Sequence, residues 1–458
     1  MRKTTKLAIL LAVLAALCLT VFLLSRRQAR QEAVRESGET ILAIDPESVT
    51  SLAWTNESGS FAFRREGDGW VYEGDEAFPV DGEKLTALLE PLEELGAAFT
   101  IEDARDLGQY GLSDPAGSVT VGTESGTYTL TLGDYSQLDA QRYLSLGDEK
   151  VYLVTHDPME EFDAVLRDLI LDDSIPAVAQ AEEITFSGAA DYTAVYDEDG
   201  VSVCGSDIYF SDGRPLDTDR VTNYLDTLSG LTLTDYVTYN ATAEELLAYG
   251  LETPELSVTV RYAGEDGDES FTVHLGRDQA ELQAAEETGD YEAVTAYLRV
   301  GDSRIVYQIP QEDYETLAAA SYDDLRHQKL FTASLSQVTE LTVTLEGETY
   351  TLTHALPESE DEDGKWYYQG EEFDGTDLEN AVNSLRATDF TDRTASGREE
   401  IRLTAKLDRE DIPSLSLTLT RYDGDHCLAA LDGETVAYVK RSQAVDLIEA
   451  IHAVVLTG

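Results

Sequence analysis

The side chains with ligating or catalytic chemistry are plentiful here but poorly spaced for it. The six histidines are His156, His274, His327, His354, His426 and His452. A zinc hydrolase places two histidines one helical turn apart with a glutamate between them, because residues i and i+4 share a helix face. The chain has no H-E-x-x-H run, and no two of its histidines have helix-face spacing. Each reads as a surface or turn residue, and no metal ligand is assigned. Cys204 and Cys427 are far apart, and Cys18 sits in the apolar leader, so neither a disulfide framework nor a cysteine metal site is expected. The segment from Gly122 to Gly126, with Ser125 inside it, has the wrong spacing for a nucleophile elbow. No G-x-x-x-x-G-K-[ST] loop and no strand–G-x-G-x-x-G–helix element is present, so nucleotide binding has no support.

Carboxylates are the commonest chemistry. With 90 Asp and Glu, paired acids arise by chance, and a glycosidase pair is defined by a separation that sequence does not show. Three acidic turns resemble calcium loops: Asp197–Gly200, Glu265–Glu269 and Glu358–Gly364. None fits the D-x-[DN]-x-[DN]-G-x₅-E pattern, so they read as solvated hairpin tips. Six tyrosines recur at matching places, namely Tyr110, Tyr143, Tyr152, Tyr249, Tyr297 and Tyr307. Tyrosine suits half-buried strand faces and cross-strand pairs, which is the favoured reading; an aromatic platform for glycan or peptide is the alternative. No catalytic residue and no cofactor is assigned, and the chain is not expected to be an enzyme.

The charge balance narrows the partners. Lys plus Arg number 32 against 90 Asp plus Glu, for a formal net charge of −58. Six of the basic residues fall in the first 30, which hold no acid, so everything after them is more acidic still. Such a body repels phosphate backbones, and nucleic-acid binding is excluded.

The elements that would position these side chains begin with a membrane address. Leu7 to Leu24 reads LAILLAVLAALCLTVFLL, uncharged and bounded by Lys6 and Arg26-Arg27. A spanning helix needs about 17–25 apolar residues, so this one fits at the short end. A cleaved signal peptide is the competing reading. It lacks an A-x-A-like site after the run, and the run exceeds the usual h-region of about 7–15 residues. The chain is therefore expected to carry an N-terminal transmembrane anchor (residues 1–25) and a charged juxtamembrane stalk (26–47). The acidic body suits the extracytoplasmic side of the cell membrane.

Beyond the stalk the sequence repeats itself. Each of three stretches, 48–171, 181–329 and a diverged 335–456, opens with alternating β-branched or aromatic runs: VTSLAWT and SFAFRR, EITFSG and YTAVYD, VTELTVTL and TYTLTH. A turn ending in Asp-Gly follows each (Asp68-Gly69, Asp199-Gly200, Asp363-Gly364), then a third strand: WVYE (70–73), VSVCG (201–205), KWYYQ (365–369). The period then lengthens toward 3.6 after Asp81, Asp217 and Asp374, which read as helix N-caps. Leu85, Leu88, Leu89, Leu92 and Leu95 share the first face, with a kink or break expected at Pro91. A Tyr-Gly-Leu-x-x-Pro segment recurs at Tyr110–Pro115 and Tyr249–Pro254, and the third stretch keeps only Pro413. Closing strands precede a terminal helix, opened in the first stretch by Asp157-Pro158. Residues 172–180 and about 328–334 read as linkers. The fold class expected is α+β, with three tandem, mainly antiparallel sheet-plus-helix units.

With the anchor, the W-x-Y near the first hairpin, the Tyr-Gly-Leu-x-x-Pro segment, the T-L-x-L-G-D run (Thr129–Asp134) and the closing strands, the chain resembles the bacterial "domain of unknown function 4340" family. The resemblance covers the first two stretches well. It implies a membrane-anchored envelope protein whose genes often neighbour ABC-type transport components related to gliding-motility auxiliary proteins. No activity or site residue comes with it. The function expected is an extracytoplasmic binding or scaffold protein of unknown ligand, accessory to an ABC-type envelope transport complex. The alternative is an envelope hydrolase or a glycan- or peptide-binding module.

Overall fold

The computed structural model describes residues 38–456, apart from 103, 266 and 357–363. The predicted membrane segment Leu7–Leu24, the first part of the stalk and the acidic run Glu358–Asp363 lie outside the described residues. Among the described residues no helix is long and apolar enough to cross a membrane. The chain divides after Asp173 into two compact units, the first holding one sheet and the second two.

The first sheet is built from β1 (Glu39–Leu42), β2 (Val49–Asn56), β3 (Gly59–Glu66), β4 (Gly69–Tyr72), β5 (Leu95–Ile101), β6 (Gly117–Thr123), β7 (Gly126–Ser136), β8 (Gln141–Ser145) and β9 (Val151–Val154). The second has β10 (Glu183–Gly188), β11 (Tyr192–Tyr196), β12 (Tyr209–Ser211), β13 (Arg214–Pro215), β14 (Tyr236–Thr238), β15 (Leu256–Ala263), β16 (Asp268–Arg277), β17 (Ala296–Val300) and β18 (Val306–Ile309). The third has β19 (Val338–Leu345), β20 (Glu348–Ala355), β21 (Lys365–Tyr368), β22 (Glu371–Phe373), β23 (Ala387–Phe390), β24 (Glu399–Leu407), β25 (Ser414–Arg421), β26 (His426–Leu431) and β27 (Glu434–Lys440).

Eight strands of each sheet follow one order: β4-β3-β2-β6-β7-β8-β9-β5, β12-β11-β10-β15-β16-β17-β18-β14 and β21-β20-β19-β24-β25-β26-β27-β23. The ninth strand differs. The first sheet adds β1 beside β5, whereas the others add β13 and β22 at the opposite edge. All the pairings are antiparallel, and the central one joins strands distant in sequence: β2 to β6, β10 to β15, β19 to β24.

The correspondence extends to register. A row of small polar or small side chains crosses four strands on the half-exposed face: Ala62–Ala53–Thr120–Thr129, Thr193–Thr185–Thr259–Thr272 and Thr351–Thr342–Thr404–Ser416. The Thr259 and Thr272 hydroxyls lie 2.9 Å apart. Because side chains alternate faces, a one-residue slip would expose the neighbouring core residues. Those neighbours, Leu52, Ile184 and Leu341, are each at most 1% exposed.

A long connection carries each chain from one side of the sheet to the other edge, and a helix rides in it: Gly82–Ala87 with Glu90–Glu93, Thr218–Gly230 and Thr376–Ser384. The buried stripes are Leu85, Leu89 and Leu92; Val221, Tyr224, Leu225 and Leu228; Leu378, Ala381 and Val382. Burying each such aliphatic side chain is worth roughly 1.5–3 kcal/mol. The first helix breaks before Pro91, as its missing N–H requires. In the second unit the Thr218–Gly230 helix packs on Gln311–Ala318, and Thr376–Ser384 on Arg441–Val455.

Four local expectations are corrected. Residues 201–205 form no strand; β12 lies further on, because the Arg409 guanidinium takes the Ser202 and Val203 carbonyls (2.8 and 3.1 Å) and Gly205 turns at φ +75. Leu95 opens β5 instead of ending the helix. The helix after Asp157 is a single short turn, Met159–Phe162, at whose start the Met159 N–H donates to Asp157 Oδ1 (2.9 Å), an oxygen that also pairs with Arg142 Nε (2.6 Å). Leu330, Phe331 and Ala333 are buried in the third sheet's core, so that stretch is packed, not a free linker.

Candidate functional site

The repeated Tyr-Gly-Leu-x-x-Pro segment is a helix ending docked on a strand. A 3₁₀ turn Leu107–Tyr110 and the helix Ala243–Ala248 both close through a left-handed glycine, Gly111 at φ +71 and Gly250 at φ +69. That conformation penalises any Cβ. The following leucine N–H reaches back to the Leu107 or Leu246 carbonyl (3.1 and 2.7 Å). The leucines, Leu112 and Leu251, are buried. The turn then presses against a glycine within the strand, Gly133 of β7 or Gly276 of β16. A Cβ on Gly133 would sit 2.2 Å from the Tyr110 oxygen, and one on Gly276 would sit 2.6 Å from the Tyr249 and Gly250 oxygens. The third sheet lacks the motif but keeps a close approach with the glycine on the other partner: a Cβ on Gly397 would lie 1.9 Å from the Arg421 oxygen.

The recurring tyrosines serve the same joint. Tyr110 packs on Tyr143 with ring centroids 5.0 Å apart, and Tyr249 on Tyr297 at 4.6 Å; both pairs are tilted by 53°. Tyr152 and Tyr307 are buried on the neighbouring strand, and the Tyr152 hydroxyl donates to Asp148. Burial and that carboxylate push the Tyr152 phenol well above its ordinary value.

The other residues singled out by sequence are dispersed. Ser125 lies at the tip of the β6–β7 hairpin, its hydroxyl 2.9 Å from that of Thr123. The Asp197 carboxylate closes its own turn on the Asp199 N–H (3.1 Å). His354 stacks on Trp366 (4.3 Å) and its Nδ1 faces the Val338 carbonyl (2.8 Å). His274 Nδ1 pairs with the Ser257 hydroxyl (2.8 Å), and burial followed by nearby Arg299 holds its imidazole below the usual range. His156 pairs with Glu161 on an open surface, with Glu160 beside it.

His327 differs from all of these. It follows the short helix Tyr322–Leu325 and reaches back across 120 residues of sequence to Asp207. Its Nε2 lies 2.8 Å from Asp207 Oδ1 and its Nδ1 3.2 Å from Asp217 Oδ2. Asp217 is the N-cap of the Thr218–Gly230 helix, holding the Asp219 N–H with its other oxygen at 3.2 Å. Cys204 completes the group: its Sγ, a His327 nitrogen and an Asp207 oxygen all lie within 4.8 Å of one another. The Asp207 side chain is 2% exposed, and its Oδ2 is buried without a hydrogen-bond partner. The loop carrying Cys204 is pinned by Arg409 and by the Gly205 N–H on the Ser202 hydroxyl (3.1 Å).

The charges are coupled. Burial alone would lower the His327 pKa, but the hydrogen bonds with Asp207, Asp217 and Cys204 outweigh it and raise it to about 11. The His327 contact in turn holds both the Cys204 thiol and the Asp217 carboxyl below their ordinary values. An imidazolium clamped by two carboxylates has no free lone pair, so this is not a base poised for a cysteine nucleophile. Cys427, by contrast, is buried, and burial followed by Glu400 pushes its thiol up to about 12. Both cysteines are free.

The family model described as a domain of unknown function (DUF4340) matches residues 70–181 and 211–406, well over half of the chain. The chain belongs to that family. No curated protein and no solved structure matches it. The matched segments contain both Tyr-Gly-Leu-x-x-Pro turns, Asp217 and His327, but pass over residues 182–210, where Cys204 and Asp207 lie.

Proposed function

We propose that this member of the family is a membrane-anchored, extracytoplasmic binding and scaffold protein that serves an ABC-type envelope transport complex. The observation that carries the reading is where the repeated residues go. Tyr110, Gly111, Gly133 and their counterparts Tyr249, Gly250 and Gly276 are consumed in backbone packing. What repeats is thus a rigid support and not a reactive centre, as suits a protein that holds partners in place. The uncharged run Leu7–Leu24, with Lys6 and Arg26 at its ends, supports a tether, and the net charge of −58 supports a body outside the anionic cytoplasmic leaflet.

Two measurements test it together. Protease added to spheroplasts should degrade the body while a cytoplasmic marker survives; a protected body contradicts the orientation. Crosslinking in living cells followed by tagged purification should recover permease or ATPase subunits of one ABC-type transporter. Recovery of none of them contradicts the accessory role.

A further inference from the structure

We propose that Cys204, Asp207 and His327 form a binding site for one divalent cation of the zinc class, with Asp217 as the outer carboxylate that orients the imidazole. The proposal is independent of the scaffold role.

The donor set selects the ion. One sulfur, one imidazole nitrogen and one carboxylate oxygen are the ligands of borderline cations such as Zn²⁺; Mg²⁺ and Ca²⁺ require all-oxygen shells. The three donor atoms already lie within 4.8 Å of one another. Tetrahedral bonds of about 2.0–2.3 Å place ligand atoms roughly 3.3–3.7 Å apart. The present Nε2–Oδ1 distance of 2.8 Å therefore has to open only slightly, as expected when a cation takes the place of a shared proton. Asp217 on Nδ1 at 3.2 Å supplies the carboxylate–histidine–metal arrangement that fixes ring orientation and raises ligand basicity.

The second, independent observation is the orphaned oxygen. Asp207 Oδ2 is buried with no hydrogen-bond partner. Leaving a buried acceptor unsatisfied costs about 1–3 kcal/mol, more for a charged group. A cation bound by this carboxylate removes that cost. Thiolate and Asp207 neutralise a divalent ion, while Asp217 accepts the Nδ1–H hydrogen bond and leaves the site with one net negative charge. Binding releases the Cys204 thiol proton and the Nε2 proton to solvent, so affinity falls as pH drops. Cys204 is half-buried and so gives an entry path. The His156, Glu160 and Glu161 group lies at the surface, with the imidazole 43% exposed, and carries no such argument.

The test uses the full chain in detergent, stripped with chelator and titrated with Zn²⁺ by equilibrium dialysis. Excess Mg²⁺ is present throughout to occupy surface carboxylates. One Zn²⁺ per chain is expected, and Zn²⁺ should shield Cys204 from alkylation. Co²⁺ in its place should give a thiolate-to-metal absorption band. Cys204→Ser should abolish the band, and His327→Gln should abolish stoichiometric binding. Asp217→Asn should keep one site with affinity about 10–100-fold weaker. Circular dichroism confirms that each variant is folded. The proposal is overturned if Mg²⁺ competes away all Zn²⁺ uptake, or if folded Cys204→Ser binds Zn²⁺ as the parent does.

Discussion

Replacing Gly276 or Gly133 by alanine probes the joint between the Tyr-Gly-Leu turn and the sheet. The added Cβ would lie 2.6 Å from the Tyr249 and Gly250 oxygens in the first case and 2.2 Å from the Tyr110 oxygen in the second. Ordinary contact begins near 3.4 Å, and the obstructing atoms are backbone, so no side chain can swing aside. Turn and strand must part by about 1 Å, and overpacking of this kind costs about 1–3 kcal/mol. At about 2 kcal/mol the local opening equilibrium rises by a factor of roughly 30. Hydrogen exchange read by mass spectrometry should show that loss of protection in peptides spanning 246–277 for Gly276→Ala, and in 107–136 for Gly133→Ala. Gly230→Ala is the control. It ends the Thr218–Gly230 helix at ordinary φ with open space around it, and should be neutral or stabilising by up to about 1 kcal/mol. Unchanged exchange in both joint variants would refute the argument that Gly133 and Gly276 serve the close approach of the turn.

Three further outcomes are expected. Arg142→Ala strands the Asp157 carboxylate, only 8% exposed, and removes a 2.6 Å hydrogen bond to the Gly133 carbonyl; it should destabilise the first unit by about 3–5 kcal/mol in urea unfolding. Glu379→Leu leaves the Trp366 indole N–H, now 2.7 Å from Glu379 Oε1, without its acceptor, and should cost the second unit about 1–3 kcal/mol by the same assay. His274 is held neutral by burial, so its folded pKa lies below the unfolded value. The unfolded chain then takes up the proton first, and stability present above about pH 6.5 is lost as pH falls through the folded pKa. His274→Gln should flatten the acid side of a stability–pH curve, and an unchanged curve would contradict that assignment.

Much of the fold was legible because its signals are local. Most of the period-2 runs, the caps at Asp81 and Asp217 and the break at Pro91 follow from neighbouring residues and reappear in the structure, whereas the third helix is capped at Gly375, one residue past the expected Asp374. The 201–205 strand failed for a non-local reason, since its carbonyls bond to Arg409 some 206 residues away. The Cys204, Asp207 and His327 cluster was invisible for a similar reason. His327 and Asp207 are separated by seven of the second sheet's nine strands, β12–β18, so no spacing rule registers the group. The one available hint was Asp217, readable as a helix cap but not as the partner of a histidine. The recurring tyrosines were readable as a repeat because Tyr110 and Tyr249 stand at equivalent joints.

The central claim is that three sheets share one strand order and one register, set by a central pairing of sequence-distant strands. Paired cysteines at Ala53 and Thr120, at Thr185 and Thr259, and at Thr342 and Thr404 test it directly. Directly opposed antiparallel residues have Cα atoms about 4.5–5.5 Å apart, within disulfide reach. Mild oxidation should close all three engineered pairs with comparable yield, while pairs displaced by two residues along one strand stay open. Closure of one or two pairs but not the third, or preferential closure of the displaced pairs, would contradict the shared architecture.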